Sequence, residues 1–169
     1  HVLFIDADTM ILNDIQLDNK QPICFAAPPD WNISDWDFIS TGVMILNLDR
    51  LRKDYLHFIE YLFHHNFDFA FAGHGPCSQG AWNTFYKGEW ENLEPEYDWK
   101  PWWGFNPNAK IVHFSGPKPN EIAPLLINRV NQIQETEKQK IHRFVVQQDV
   151  SSYRRYLQVW DSYETLITE

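Results

Sequence analysis

The residue pattern best suited to chemistry is a pair of aspartates near the start of the chain, Asp6 and Asp8. They directly follow an apolar run at residues 2–5, which predicts a strand buried on both faces of a mostly parallel sheet. Because side chains alternate along a strand, both carboxylates are expected on one side, at the sheet edge where α/β proteins bind ligands. Their mutual repulsion favours a bound divalent cation. A strand end capped by two solvated aspartates is the alternative.

A second apolar run ends at His113, and a glycine and a lysine, Gly116 and Lys118, follow it closely. Strand ends converge at one edge of an α/β sheet, so His113 is predicted to meet Asp6 and Asp8. Carboxylate and imidazole ligands together suit Mn²⁺ or a similar cation and leave positions for phosphate oxygens. Gly116 would let the backbone approach a ligand, and Lys118 offers a point charge for phosphate. The pattern predicts a metal–diphosphate site.

The composition narrows the class of protein. The 169 residues suit one domain, and 44% apolar with 16% aromatic residues excludes disorder. A net charge of −9 argues against a nucleic-acid partner. No run approaches the roughly 18 apolar residues of a transmembrane segment. The two cysteines, Cys24 and Cys77, suggest no disulfide framework, so a reducing, cytoplasmic location is expected.

The elements that must position these residues follow from hydrophobic periodicity. Strands are predicted at residues 23–27 and 42–47, and a helix at 48–66 is capped by Asn47 and carries an apolar stripe. That stripe consists of Leu48, Leu51, Tyr55, Ile59, Leu62 and Phe63. A turn is predicted at 73–76 and a short helix at 78–86. The chain begins inside an apolar strand that needs neighbours, which predicts the later part of a longer domain.

Aromatic residues dominate the second half of the chain. Trp90, Trp99, Trp102 and Trp103 are expected to pack, although they could also face a sugar ring. Residues beyond 121 are predicted to be helical, and the last amphipathic stretch contains Tyr153, Tyr156, Leu157, Val159 and Trp160. These helices could dock on the domain, form a homo-oligomer or lie on a membrane surface. The predicted division is a domain at 1–120 and a helical extension at 121–169.

Four segments together resemble the glycogenin-like retaining glycosyltransferases (glycosyltransferase family 8). Residues 4–9 resemble the strand with the family's Asp-x-Asp motif, and Ser40-Thr41-Gly42-Val43 resembles its Asn-Ser-Gly-Val segment. Ser78-Gln79-Gly80-Ala81-Trp82-Asn83 is similar to its Asp-Gln-Gly-x-x-Asn segment, and 112–119 to its His-x-x-Gly…Lys-Pro ending. The segments occur in the family's order and span residues 1 to about 120.

The resemblance implies a GT-A fold that lacks its N-terminal nucleotide-binding strands and moves a hexose from a UDP-sugar, such as UDP-glucose or UDP-galactose, with retention of configuration. The acceptor, a sugar or a protein, is left open. Mn²⁺ would be held by Asp6, Asp8 and His113, and the diphosphate by Gly116 and Lys118. The implied donor-binding residues also include Ala7, Ser40, Thr41, Gly42, Gln79 and Gly80. Taken alone, the chain is expected to be inactive and to self-associate.

Two positions depart from the family pattern. Ser78 replaces an aspartate beside Gln79, and Ser40 replaces an asparagine. Both positions lie near the donor sugar in the family, and the resemblance implies catalytic roles for Gln79 and Ser78. A sugar-nucleotide-binding relative with impaired catalysis is therefore an alternative. A haloacid-dehalogenase-like phosphatase, which would form an aspartyl-phosphate at Asp6, is another, but Met10 stands where that family has Thr or Val.

Overall fold

The computed structural model describes residues 1–17, 20–69, 77–116, 118–121 and 149–168. The turn predicted at 73–76 and the helix predicted over 122–148 lie outside these ranges. The elements in chain order are β1 (Val2–Ile5), β2 (Thr9–Ile11), β3 (Phe25–Ala27), β4 (Val43–Leu46), α1 (Leu48–His64), α2 (Ser78–Phe85), β5 (Trp90–Asn92), two 3-10 helices (Pro95–Asp98 and Pro101–Trp103), β6 (Ile111–His113) and α3 (Val150–Thr168).

The chain forms two compact units. The first contains His1–Asp6 and Ile15–Asp98, and the second contains Ala7–Asp14 and Trp99–Glu169. Each unit has its own sheet and its own hydrophobic core. Among the described residues, no helix combines the length and the apolar character that crossing a membrane requires.

The sheet of the first unit has the strand order β1-β4-β3-β5. β4 pairs antiparallel with both β1 and β3, whereas β3 and β5 are parallel. The expectation of a mostly parallel sheet is therefore wrong for the described strands, and the sheet is mixed. A run of apolar residues indicates burial but does not specify the direction of a strand's neighbours.

The first strand also differs from its prediction. β1 lies at the edge of the sheet, and its Val2, Phe4 and Ile5 are 40%, 41% and 38% exposed. The prediction that this strand is buried on both faces is wrong, because within the described structure β1 pairs only with β4. Edge strands keep one side of the backbone and part of their side-chain surface open.

The central strands of this sheet, unlike β1, are buried. The strands predicted at 23–27 and 42–47 are confirmed as β3 and β4, and both are buried. Phe25 packs edge-on against Trp82 and Tyr86, which joins the sheet to α2. Cys24 belongs to the same core, and burial raises the pKa of its thiol to about 12. This cysteine is therefore an inert core residue.

Asn47 caps α1 as predicted, because its side chain accepts a hydrogen bond from the backbone N–H of Arg50. The helix ends at His64, two residues before the predicted end, where Asn66 and Phe67 adopt positive φ. Its apolar stripe is only partly covered: Tyr55 is 59% and Phe63 is 64% exposed. The stripe prediction is wrong at these two positions.

The second unit is built around a two-stranded antiparallel sheet of β2 and β6, in which Thr9 pairs with His113 and Ile11 with Ile111. Its core is formed by Met10, Trp102, Ala109, Val112, Phe114, Tyr153 and Tyr156. The last two belong to α3, so the predicted amphipathic helix is confirmed and docks on this core. Trp102 is buried in this core, and Trp99 and Trp103 pack against the core, so these three tryptophans pack as expected.

Candidate functional site

The register of β2 and β6 brings Asp8 next to His113 in the second unit. Thr9 pairs with His113, and the backbone N–H of Phe114 donates a hydrogen bond of 2.9 Å to the carbonyl oxygen of Asp8. On its other side, β6 is held by Trp99, whose carbonyl accepts from the N–H of His113 at 2.9 Å. Backbone hydrogen bonds on both sides therefore hold the strand that carries the imidazole.

Three side chains of this unit form what we call the charged cluster: Asp8, His113 and Lys118. Oδ1 of Asp8 lies 3.3 Å from Nε2 of His113, and its Oδ2 accepts from the ammonium of Lys118. Lys118 also donates to the carbonyl oxygen of Phe114 at 2.9 Å. His113 is buried, whereas the Lys118 side chain is 39% exposed. The cluster therefore has a fixed inner end and an accessible cationic outer end.

The charged cluster keeps Asp8 ionised. Burial alone would raise the pKa of this carboxyl group, but the hydrogen bonds and charges of His113 and Lys118 outweigh burial and hold the pKa well below its usual range. An ionised carboxylate is the form that binds a cation or accepts hydrogen bonds. The cluster thus presents a permanent negative charge between two positively polarised groups.

Asp6 stands at the end of β1, and its backbone N–H donates to the carbonyl of Gly42 at 2.8 Å. Ala7 alone separates it from Asp8 in the chain, and Asp6, Asp8 and His113 are residue types that could together hold a metal ion. Two carboxylate oxygens and an imidazole nitrogen suit a divalent cation such as Mn²⁺ or Mg²⁺. This group could hold a metal ion. Metal binding by these three residues stays a prediction.

A second set of polar side chains, which we call the amide cluster, lies in the first unit and consists of Gln79, Asn83, Thr41 and Asp30. Oε1 of Gln79 accepts from the backbone N–H of Thr41 at 3.2 Å, and its Nε2 donates to Oδ2 of Asp30 at 2.9 Å. Both ends of the Gln79 amide are therefore held, so its orientation is fixed. The helix predicted at 78–86, confirmed as α2, supplies this residue.

Asn83 follows Gln79 by about one helical turn and fastens the preceding loop to α2. Its Oδ1 accepts from the N–H of Ile39 at 2.7 Å, and its Nδ2 donates to the carbonyls of Ile39 and Gln79, both at 2.9 Å. Ser40 is buried and its hydroxyl accepts from the N–H of Gly42 at 3.3 Å. The predicted donor-binding residues Ser40, Thr41 and Gly42 thus belong to a loop that these hydrogen bonds order.

Asp30 was not identified as a site residue from the sequence. It is 9% exposed and contacts the Gln79 amide through Oδ2. A signal was present, because Asp30 follows β3 and two prolines just as Asp6 follows β1. An aspartate that closely follows an apolar run is therefore a candidate site residue at both positions.

The two residues predicted to be catalytic have different surroundings. Ser78, the first residue of α2, is exposed and lines an apolar groove of about 320 Å³ with Phe58, Leu62 and Trp82. Gln79 instead belongs to the amide cluster. Adjacent helical positions point about 100° apart, which explains the separation. The catalytic roles of Ser78 and Gln79 stay predictions.

At Gly80 and Gly116, the two glycines of the predicted site, the surrounding packing leaves little room for a side chain. A Cβ on Gly80 would lie 2.3 Å from the carbonyl oxygen of Phe69, and one on Gly116 would lie 3.2 Å from the Trp102 ring. Neither glycine needs a ligand to explain it. Their roles beside a diphosphate or a sugar stay predictions.

No protein-family model matches the chain, and no curated protein sequence matches it. The chain does resemble several solved protein structures. The chain is similar to the glycosyltransferase GlyE of Streptococcus pneumoniae TIGR4, with a TM-score of 0.53 and 16% identity over 96% of this chain and 42% of GlyE.

The apo form of GlyE gives a TM-score of 0.53 and 17% identity with the same coverage. An active-site mutant of LgtC gives a TM-score of 0.47 and 15% identity over 69% of this chain and 54% of LgtC. The likeness to GlyE shows that the two chains share a fold. The chain spans less than half of the GlyE chain.

Proposed function

We propose that the protein is a metal-dependent glycosyltransferase with a GT-A fold that moves a hexose from a UDP-sugar to an acceptor with retention of configuration. The observation that carries this proposal is the charged cluster, in which an ionised carboxylate, an imidazole and an accessible ammonium lie together. Such a set can bind a divalent cation and phosphate oxygens at the same time. The motif order that resembles glycosyltransferase family 8 and the fold shared with GlyE support the assignment.

The metal would be held by Asp6, Asp8 and His113. The donor set fits a cation such as Mn²⁺, because it combines two carboxylates with a nitrogen ligand. A bound divalent cation would supply Lewis-acid stabilisation of the charge that develops on the departing UDP. Asp8 is already ionised without any ligand, so no proton has to leave it when a cation binds.

Lys118 would provide the second positive charge at the diphosphate. Its ammonium contacts Asp8 and the carbonyl of Phe114, and its side chain is 39% exposed. A flexible lysine can exchange one oxygen partner for another at little cost, since it acts as a point charge. We infer that Lys118 moves from Asp8 to a phosphate oxygen when the donor binds, and then stabilises UDP as it leaves.

Gln79 would act at the donor sugar, as the resemblance implies. Its amide is held by Thr41 and Asp30, so it could present a fixed polar group to a sugar hydroxyl or to the anomeric centre. Preorganised dipoles of this kind stabilise charge without reorganising during the reaction. UDP-glucose and UDP-galactose are the proposed donors, and the acceptor is a sugar or a protein.

The test is a calorimetric titration of the intact full-length protein with UDP, with and without Mn²⁺, followed by a screen of UDP-sugars for release of UDP. We expect UDP to bind only with Mn²⁺, and Asp8→Asn to weaken this binding at least about tenfold. Asp14→Asn is the matched control, because Asp14 is exposed in the same unit. Metal-independent UDP binding, or equal binding by Asp8→Asn and the wild type, would contradict the proposal.

Ser78 favours a second candidate, a sugar-nucleotide-binding relative that lacks turnover, because the family has a carboxylate at this position. Its hydroxyl is exposed on α2 beside an apolar groove. A hydroxyl stabilises a developing positive charge much less than a carboxylate does. Mn²⁺-dependent binding of UDP-sugars by the intact full-length protein, with no release of UDP, would select this candidate over the enzyme.

A further inference from the structure

Helix α1 of the first unit packs against α2 through one face. The ring of Phe58 contacts the rings of Trp82 and Phe85, and the ring of Tyr61 also contacts Phe85. Even so, none of the 17 residues of α1 is buried. A helix that lies on a core with one face usually carries polar residues on the opposite face. The composition of the opposite face of α1 shows whether this holds.

The outward face of α1 is apolar at its centre. Leu56 and Phe63 are 69% and 64% exposed, and Ile59 between them is half-buried. Together with Arg52 they are spaced by four, three and four residues, which is the spacing of the seam between two paired helices. We call these four residues the outer seam. Large exposed apolar side chains at seam positions indicate a face that another helix covers.

Charged residues of opposite sign flank the outer seam on one side. Lys53 and Glu60 are exposed, and they lie seven residues apart, so both project from the same flank of the helix. When a helix pairs antiparallel with its own copy about a two-fold axis, the same flank of both copies meets. With Leu56 against the partner's Ile59, Lys53 comes opposite the partner's Glu60. Symmetry forms this pair twice, so the charges are self-complementary.

The remaining seam positions favour the antiparallel orientation. A parallel pair would place Arg52 beside the partner's Arg52, and like charges repel each other. The antiparallel pair places Arg52 beside the partner's Phe63, and a guanidinium is attracted to an aromatic ring. A groove of about 270 Å³ lies level with that ring and is lined by Leu48, Leu51, Arg52 and Tyr55. This spacing is that of the hole which receives one side chain of a facing helix.

We propose that α1 is the interface of a homodimer in which the outer seams of two copies pack antiparallel about a two-fold axis. A helix of 17 residues is about 25 Å long, so the pair buries less than the roughly 1,200 Å² of stable complexes. The dimer is therefore weak, with a dissociation constant on the order of 10 μM. The interface uses none of the residues proposed to bind a metal or a donor, so it does not rest on the proposed function.

The first measurement is sedimentation equilibrium of the intact full-length protein over about a hundredfold range of concentration around this value. We expect a monomer–dimer equilibrium. Leu56→Asp should raise the dissociation constant more than about tenfold, because the pair would then bury an unpaired carboxylate at its centre. Since Leu56 is 69% exposed, the fold and its stability in urea should be unchanged.

The second measurement is a charge exchange on the flank. Lys53→Glu brings two carboxylates together at each flank contact, and Glu60→Lys brings two ammonium groups together. Each change should raise the dissociation constant about tenfold, since it turns two attractions into two repulsions. Lys53→Glu combined with Glu60→Lys should restore the wild-type value. Lys87→Glu is the matched control, because it makes the same change of charge at an exposed residue outside α1.

These outcomes separate the homodimer from other uses of the face. A protein that stays monomeric would overturn the inference, and so would self-association that Leu56→Asp leaves unchanged, which would place the contact elsewhere. A combined variant as weak as the single ones, or an equal loss in Lys87→Glu, would also overturn it. Binding of a monomer to phospholipid vesicles, abolished by Leu56→Asp, would assign the face to a membrane surface instead. A dimer restored by the charge exchange, without any binding of UDP, would support the inference while the proposed function fails.

Discussion

The amide cluster of the first unit and the charged cluster of the second unit are built from opposite chemistry. Gln79 and Asn83 are neutral, and their amides are satisfied by backbone groups and by Asp30. Asp8 and Lys118, in contrast, carry full charges that pair with each other and are partly accessible. One cluster fastens a loop to a helix, whereas the other keeps charges available to a ligand.

This difference in chemistry predicts what each cluster contributes to stability and to ligand binding. Buried neutral groups that are fully hydrogen-bonded stabilise a fold, because removing one partner leaves the other buried and unsatisfied. Ion pairs contribute little net stability, since the cost of desolvation offsets the Coulombic gain. Substitutions in the amide cluster should therefore lower stability, and substitutions in the charged cluster should lower ligand affinity.

The largest effect on stability is expected for Asn83→Ala. This change leaves both backbone polar groups of Ile39 without their amide partner in a residue that is fully buried. We expect the free energy of unfolding to fall by about 3 kcal/mol, measured by urea denaturation. The control is Asn32→Ala, which removes an exposed asparagine and should change stability by less than about 0.5 kcal/mol. A loss below about 1 kcal/mol for Asn83→Ala would contradict the role given to the amide cluster.

The two glycines of the predicted site allow a matched comparison between the units. In Gly80→Ala the new Cβ would meet a backbone oxygen at 2.3 Å, whereas in Gly116→Ala it would meet an indole ring at 3.2 Å. We expect Gly80→Ala to cost about 2 kcal/mol of unfolding free energy and Gly116→Ala less than about 1 kcal/mol, because a backbone carbonyl yields less than a side chain. Equal losses in urea denaturation would show that the clash at Gly80 relaxes.

Much of the fold could be predicted from the sequence where local signals agree. Asn47 followed by apolar residues at helical spacing predicted α1 and its cap, and two apolar runs predicted β3 and β4. The direction and depth of strands could not be predicted in this way. β1 is as apolar as β4, yet one lies at the edge and the other in the centre, because strand order is set by contacts distant in sequence.

The site was predicted to a similar extent. The meeting of His113 with Asp8 was expected from residue types and strand ends, and Nε2 of His113 lies 3.3 Å from Oδ1 of Asp8. The ion pair of Lys118 with Asp8 was not expected, because the lysine was predicted to bind phosphate. Lys100 and Asp30 were not expected. Asp30 follows the buried β3, which was a usable signal, whereas nothing in the spacing of residues along the chain indicates that the buried Lys100 lies 3.1 Å from Nδ1 of His113.

Lys118→Met should separate ligand affinity from stability in the charged cluster. The change removes the ion pair with Asp8 and the bond to the Phe114 carbonyl but keeps an aliphatic side chain. We expect Mn²⁺-dependent affinity for UDP to fall about tenfold, or about 1.4 kcal/mol, by calorimetry. The free energy of unfolding should change by less than about 1 kcal/mol. A larger loss of stability than of affinity would remove the distinction between the two clusters.

The smallest effect on stability is expected for Ser78→Asp. This change introduces the carboxylate that the pattern of glycosyltransferase family 8 has beside the glutamine matched by Gln79. Ser78 is exposed in the first turn of α2, where a negative charge interacts favourably with the helix dipole. Stability should therefore rise by about 0.5 kcal/mol, whereas the uncharged Ser78→Asn should give no such gain. If the position faces the donor sugar, turnover or sugar preference in a UDP-release assay should change more than Mn²⁺-dependent affinity for UDP, because a carboxylate stabilises positive charge at the anomeric centre. Equal changes in turnover and UDP affinity would place Ser78 in the nucleotide pocket instead.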